Sequence, residues 1–171
     1  MGELVPLYRE LAENGDNFRG LSLLQYAAPI QELIERKGAQ TLLDYGSGRG
    51  EAYSSLYLIQ DLWGVQHPHL YDPALAEICI RPEHSFDAVL CSDVLEHIPE
   101  NELEDAIAYM MDHSRLFIWA SICCRPAKKC FADGITNLHV TLQPLSWWRD
   151  LFAHHKDLRD YDGEVVLTET L

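Results

Sequence analysis

The stretch "TLLDYGSGRGEAY", residues 41–53, holds three of the chain's ten glycines in the five positions 46–50. An apolar, strand-like lead-in and a helix-like follow-on flank the run. A strand, a glycine turn and a helix in that order bring bare backbone close to a ligand in open α/β sheets. Several ligands use the device, and the residues separate them. A phosphate-binding P-loop requires Lys followed by Ser or Thr after the last glycine, and Gly50 is followed by Glu51. A dinucleotide fingerprint GxGxxG/A starting at Gly46 and Gly48 puts Glu51 in its third place. A carboxylate there would face a pyrophosphate where the helix N-terminus is meant to hold an anion.

Working outward, the apolar runs alternate in type. Residues 3–13 and 21–37 carry helix-like spacing, with Leu23, Tyr26, Ile30, Leu33 and Ile34 returning every three to four positions. Pro29 predicts a kink or a late start in the second, and Gly38 its end. "ENGDNFRG" between them reads as turns. "TLLDY", "FDAVLCS" (86–92) and "RLFIWASIC" (115–123) read as buried strands, and "VQHPHLYD" (65–72) as a weaker one confined by Pro68. "EAYSSLYLIQDL", "PENELEDAIAYMMDHS" with Pro99 in its first turn, and "PLSWWRDLFAHH" capped by Ser146 read as helices. "EVVLTETL" reads as a last strand. Strands alternating with helices predict an α/β fold, a mainly parallel sheet sandwiched by helices.

The chain's 171 residues fit one domain, with residues 1–38 as an N-terminal helical cap and 39–171 as the core. At 47% hydrophobic and 23% charged, the composition is that of a globular protein. No stretch approaches the ~20 uninterrupted apolar residues of a membrane helix. "MGELVPLYRE" lacks a signal pattern, so a cytoplasmic protein away from membranes is expected. Thirteen basic against 27 acidic residues give a net charge of −14, which opposes a nucleic-acid partner. The five cysteines form no CxxC pair and read as reduced thiols. A zinc set of Cys123, Cys124, Cys130 and His139 lacks the usual ligand spacing, so no metal is expected.

The run Asp44-Tyr45-Gly46-Ser47-Gly48-Arg49-Gly50 resembles motif I of the class I S-adenosylmethionine (SAM)-dependent methyltransferases, acid-x-G-x-G-x-G. SAM has no pyrophosphate, and its methionyl end carries an ammonium and a carboxylate. Asp72, at the end of "HLYD" and 28 residues after Asp44, has the place of the family's second acidic position, which holds the ribose hydroxyls. "FDAVLCSDVLEHIPENEL" resembles the FDxVxxxxVLEHI segment after the fourth strand of a large small-molecule branch of the family. The three segments fall between residues 44 and 103, in the family's order. The resemblance implies a Rossmann-like fold with a final antiparallel strand and SAM as cofactor. Its implied cofactor-binding residues are Asp44, Tyr45, Gly46, Ser47, Gly48, Asp72, Pro73, Ser92 and Asp93. Phe86 follows Asp72 by only 14 positions, so the third-strand region is predicted to be truncated. "AEICIRPEHS" must then cover the adenine without the usual acidic contact.

The acceptor is less defined. The place that reads [DN]PP[YF] in enzymes methylating amino groups of adenine, cytosine or glutamine reads "SDVL" here, and the chain has no Pro-Cys dipeptide. DNA is therefore not the expected acceptor. His97 is the first candidate base, with Asp93 on the same helical face to orient it and raise its pKa. His139 is a further catalytic candidate. Arg125, Lys128 and Lys129 gather charge suited to a phosphate or carboxylate. Asn137 and His139 are two apart on an extended segment, and Trp147 is a stacking candidate. Arg125, Lys128, Asn137, His139 and Trp147 are thus the expected substrate residues. Tyr8 and Phe18 are expected to fold over the cofactor. RPAKK, DG, NxH and PxxWW in succession also resemble a group of short bacterial and phage methyltransferase-like proteins. The expected activity is methyl transfer to oxygen or nitrogen of a small anionic, sugar-like metabolite. A non-catalytic SAM-binding subunit with a partner protein, a homo-oligomer and a nicotinamide-dependent reductase stay open as alternatives.

Overall fold

The computed structural model describes residues 2–13 and 17–170. Asn14, Gly15 and Asp16 of the turn-rich stretch, and Leu171 of the tail, lie outside the described residues. Five strands form one sheet: β1 (Leu42–Tyr45), β2 (His69–Tyr71), β3 (Phe86–Ser92), β4 (Ser114–Ile122) and β5 (Glu164–Glu169). Their order is β2-β1-β3-β4-β5, and every neighbouring pair is parallel. This is the doubly wound order 3-2-1-4-5-6 with its third strand removed. Between β2 and β3 the only regular element is a 3-10 turn, Ala76–Ile78, as the short spacing predicts.

The helices are α1 (Val5–Glu13), α2 (Ala27–Lys37), α3 (Ile59–Trp63), α4 (Leu103–His113) and α5 (Leu145–Leu158). Side chains alternate across the strands, and both faces are covered. Leu43, Val89, Ile118 and Ala120 pack against Ile107 and Met110 of α4 and Trp148 and Phe152 of α5. Leu42, Ala88, Leu90, Phe117 and Trp119 pack against Ile30, Leu33 and Ile34 of α2 and Ile59 and Trp63 of α3. Among the described residues no helix is long and apolar enough to cross a membrane.

Several expectations are corrected. The final strand is parallel to β4, not antiparallel, with Phe117 opposite Glu164 and Ile122 opposite Glu169. The reason is α5: it carries the chain back to the sheet's amino edge, so the next strand runs in the same sense. The segment after the glycines is not one helix. A 3-10 turn, Glu51–Tyr53, ends at the extended Ser54, and Leu58 at φ 48° separates it from α3. Only His69–Tyr71 of the segment 65–72 pairs as strand. Pro99 precedes a 3-10 turn, Glu100–Glu102, and α4 begins later, at Leu103. Pro144, not Ser146, is the N-cap of α5, and no side chain caps that helix. Pro29 falls in the first turn of α2, where its missing N–H costs nothing, and Gly38 closes the helix at φ 70°.

Candidate functional site

β1 ends at Tyr45, and the chain turns through Gly46 at φ 77° and Gly48 at φ 54°. Both glycines answer to close approaches within the chain. A Cβ on Gly46 would lie 2.4 Å from Val94 Cγ2, and one on Gly48 would lie 2.3 Å from the Phe18 carbonyl oxygen. The loop's amides are also engaged internally. Gly46 and Ser47 donate to the Tyr71 carbonyl (2.7 and 3.1 Å), and Gly48 donates to Asp72 Oδ2 (2.9 Å). Arg49 donates to Phe18 O, Gly50 to Ser47 O and Glu51 to Arg19 O, at 2.7–3.1 Å. No amide from Gly46 to Glu51 is left to cradle a phosphate. The Glu51 carboxylate pairs with Arg19 at 2.6 Å, which holds it below the usual carboxylate range.

A cavity of about 200 Å³ opens beside this loop, at the carboxyl ends of β1, β2 and β3. That is where strand order reverses in the sheet, the position open α/β folds give their ligands. Of the sequence-predicted cofactor residues, Tyr45, Gly46, Gly48, Asp72, Pro73, Ser92 and Asp93 line it, as does His97. Tyr8 and Phe18 line it from the N-terminal side. Asp44 and Ser47 do not. Asp44 is buried beneath the turn, where it accepts from the Tyr53 hydroxyl (3.0 Å), and burial raises its carboxyl to about 7. The wall is mostly apolar, and its ionisable side chains include three carboxylates, Asp72, Asp93 and Glu102, with no Lys or Arg among the described residues.

Asp72 accepts from two amides, Gly48 through Oδ2 and Ala74 through Oδ1, each at 2.9 Å. A carboxylate has about four acceptor sites, so two remain for a ligand. Asp93 sits at φ 55°, a left-handed conformation that Asp tolerates better than most residues. Its Oδ1 accepts from Ser121 Oγ (3.0 Å) and from Thr170 Oγ1. Tyr26 OH donates to Thr170 Oγ1 (3.2 Å), and Ser121 shares a bond with Ser92 Oγ (2.9 Å). Asp93 therefore does not orient His97 as expected. The Leu138 carbonyl holds His97 Nδ1 at 2.9 Å, so Nδ1 carries the proton and Nε2 keeps its lone pair. The His97 pKa is lowered to about 4 rather than raised, because burial and neighbouring His139 both disfavour the cation.

Sequence reasoning missed Ser121, Thr170, Tyr26 and Arg81. Arg81, in the segment expected to cover an adenine, donates to Tyr45 OH (3.1 Å), Tyr71 OH (3.3 Å) and Asp105 (2.7 Å), and stacks 4.7 Å over Tyr109. "IRPEH" gave a hint only through its single cation in an acidic chain. Nothing in the tail marks Thr170, which lies 77 residues from the carboxylate it serves.

The expected substrate residues lie outside this cavity. Arg125 donates to the Thr170 carbonyl (3.1 Å) and is exposed, as is Lys128. Asn137 is engaged with its own loop: Oδ1 accepts from Ala127 and His139 amides, and Nδ2 donates to Ala127 O. Trp147 packs edge-on to Trp148 at 5.0 Å, against the core. His139 reaches the wall only through His97, their rings 4.8 Å apart. Of the four zinc candidates, Cys123 and His139 converge, joined by Glu96, while Cys124 and Cys130 stay outside that group. Glu96 is fully buried, accepts from the Cys123 amide through Oε1 (2.9 Å), and is pushed up to about 8 by burial.

No protein-family model, curated protein or solved structure matches this chain.

Proposed function

We propose that the protein is a SAM-dependent methyltransferase acting on oxygen or nitrogen of a small molecule. The observation that carries this reading is the cavity's polarity. Among the described residues three carboxylates and no Lys or Arg line it, and every amide of the adjoining glycine loop is already bonded. Such a wall repels a phosphate or pyrophosphate and favours a cationic ligand. That argues against a nicotinamide dinucleotide and for a sulfonium cofactor with an ammonium-bearing tail. SAM supplies an activated methyl group, which a nucleophile takes without an anion-stabilising hole.

The chain's own residues then position the partners. Asp72 holds ribose hydroxyls through its two remaining acceptor sites, and Pro73 and Ala74 flank the base. Asp93, fixed by Ser121 and Thr170, faces the positive end of the ligand. The apolar wall and the Tyr8–Phe18 cover exclude water, and in-line approach does most of the catalytic work. A cavity of about 200 Å³ is below the roughly 300–1,000 Å³ usual for such ligands, so binding one requires its walls to open. Arg125 and Lys128 are exposed and do not line the cavity, so an anionic acceptor would meet them only outside it. Calorimetry on Asp72 variants tests the reading. Asp72→Ala should weaken SAM binding by about 1.5–3 kcal/mol for each charge-assisted hydrogen bond lost. Asp72→Asn, which keeps an acceptor, should fall between. Equal affinity in wild type and Asp72→Ala would exclude the ribose assignment.

A further inference from the structure

Beside the cavity, three side chains from separate elements converge at the carboxyl edge of the sheet. Glu96 comes from the turn after β3, Cys123 from just beyond β4, and His139 from the loop leading to α5. One ligand-type atom from each lies within 4.8 Å of the others. We propose that Glu96, Cys123 and His139 form a mononuclear site for a zinc-type divalent cation.

Three features of the geometry point to an ion rather than to packing. Glu96 is 0% exposed, and while Oε1 takes the Cys123 amide, Oε2 has no hydrogen-bond partner among the described residues. A fully buried carboxylate oxygen left without a partner is costly, and a cation is the neighbour that removes that cost most effectively. His139 is already braced as a ligand: its Nδ1 donates to the Arg125 carbonyl at 2.6 Å, leaving Nε2 its lone pair. Metal-binding histidines are oriented in this manner by a carbonyl or carboxylate behind the ring. Cys123 is half-buried and its sulfur leans weakly on the same carbonyl, at 3.7 Å, a contact a thiolate readily gives up.

The donor set selects the metal class. One thiolate, one imidazole and one carboxylate suit a borderline-soft ion, and exclude magnesium or calcium, which take oxygen donors. With bond lengths of about 2.0–2.3 Å, tetrahedral donors sit about 3.3–3.6 Å apart, so the three side chains close by about 1 Å around the ion. Three protein ligands leave the fourth position for water or an oxygen or nitrogen donor, the pattern of reactive rather than purely structural zinc. The His97 ring, 4.8 Å from that of His139, separates this site from the cavity. The site does not rest on the methyltransferase reading, since none of its ligands lines that cavity.

Cobalt(II) substitution of the chain tests it. The purified protein, stripped with chelator and titrated with Co²⁺ and then Zn²⁺, should take up one equivalent of either. The cobalt form should show intense tetrahedral d–d bands and a thiolate-to-cobalt charge-transfer band. Cys123→Ser should abolish the charge-transfer band, and His139→Ala and Glu96→Gln should each weaken zinc binding by roughly tenfold or more. Glu96→Gln keeps an acceptor for the Cys123 amide, so its circular dichroism should match wild type. Cys130→Ser, outside the cluster, should leave the spectrum and stoichiometry unchanged. A folded wild-type protein without stoichiometric uptake, or a charge-transfer band surviving Cys123→Ser, would overturn the site.

Discussion

A methyl group on Gly48 would collide with the Phe18 carbonyl at 2.3 Å, while one on Gly38 would meet nothing within 4 Å among the described residues. Both residues hold φ above +50°, so alanine at either carries about 1–2 kcal/mol of left-handed strain. Gly48→Ala adds about 1–3 kcal/mol of overpacking and should lower the urea midpoint well beyond Gly38→Ala. Equal losses would mean that the loop does not pack on residues 18–20. Asp44 gives a second prediction at this scale. Its carboxyl is raised from 3.8 to about 7 by burial, so the folded state binds the proton more tightly than the unfolded chain. Its contribution to stability is complete below about 4 and is lost as pH rises through about 7. Buried Glu96 adds a slope of the same sign, so the readout is the difference between wild type and Asp44→Asn. The variant should lose less stability across that window in denaturation at stepped pH. Gly46, Gly48 and Asp72 were legible because a turn's glycines and a strand-end acid leave marks in one short stretch. Ser121 and Thr170 were not, because hydroxyls that meet a carboxylate from positions distant in the chain have no local pattern.

At the scale of elements, α1 closes one side of the cavity. The Tyr8 hydroxyl donates to Leu138 O (2.6 Å), its ring meets those of His97 and Phe131 edge-on, and Arg9 reaches the Pro73 carbonyl (3.1 Å). Tyr8→Ala removes the ring contacts and the hydroxyl together. Hydrogen exchange across residues 5–13 should quicken several-fold in that variant while the amides of β3 and β4 keep their protection. Unchanged exchange in α1 would mean that Tyr8 does not hold the helix down. The elements differed in how readable they were. The apolar runs of β1, β3 and β4 announced themselves because strands covered on both faces admit little else. The direction of β5 did not, since alternation along a strand is the same read either way. Direction is set by the connector, and α5 spans 14 residues, about 21 Å, enough to cross back over the sheet. The segment 51–62 failed as one helix because Leu56, Tyr57 and Leu62 stay exposed, which leaves no continuous face to bury.

For the molecule as a whole, the sheet is the doubly wound order less one strand, and the cavity lies at its switch point. The missing strand leaves β2, only three residues long, at the edge, and Arg81 covers the α4 side of β1 and β2 by stacking among Tyr45, Tyr71 and Tyr109. The net charge of −14 extends the cavity's own polarity, so the molecule and the site both favour a cationic ligand over a phosphate. The two cofactor classes that share this fold are therefore separated by one paired measurement. Isothermal titration of the full chain with S-adenosylhomocysteine, the demethylated product, and in parallel with reduced nicotinamide dinucleotide, reads the choice directly. One equivalent of S-adenosylhomocysteine should bind and the dinucleotide should give no heat of binding. Saturable binding of the dinucleotide, with none of S-adenosylhomocysteine at millimolar concentration, would contradict the methyltransferase assignment.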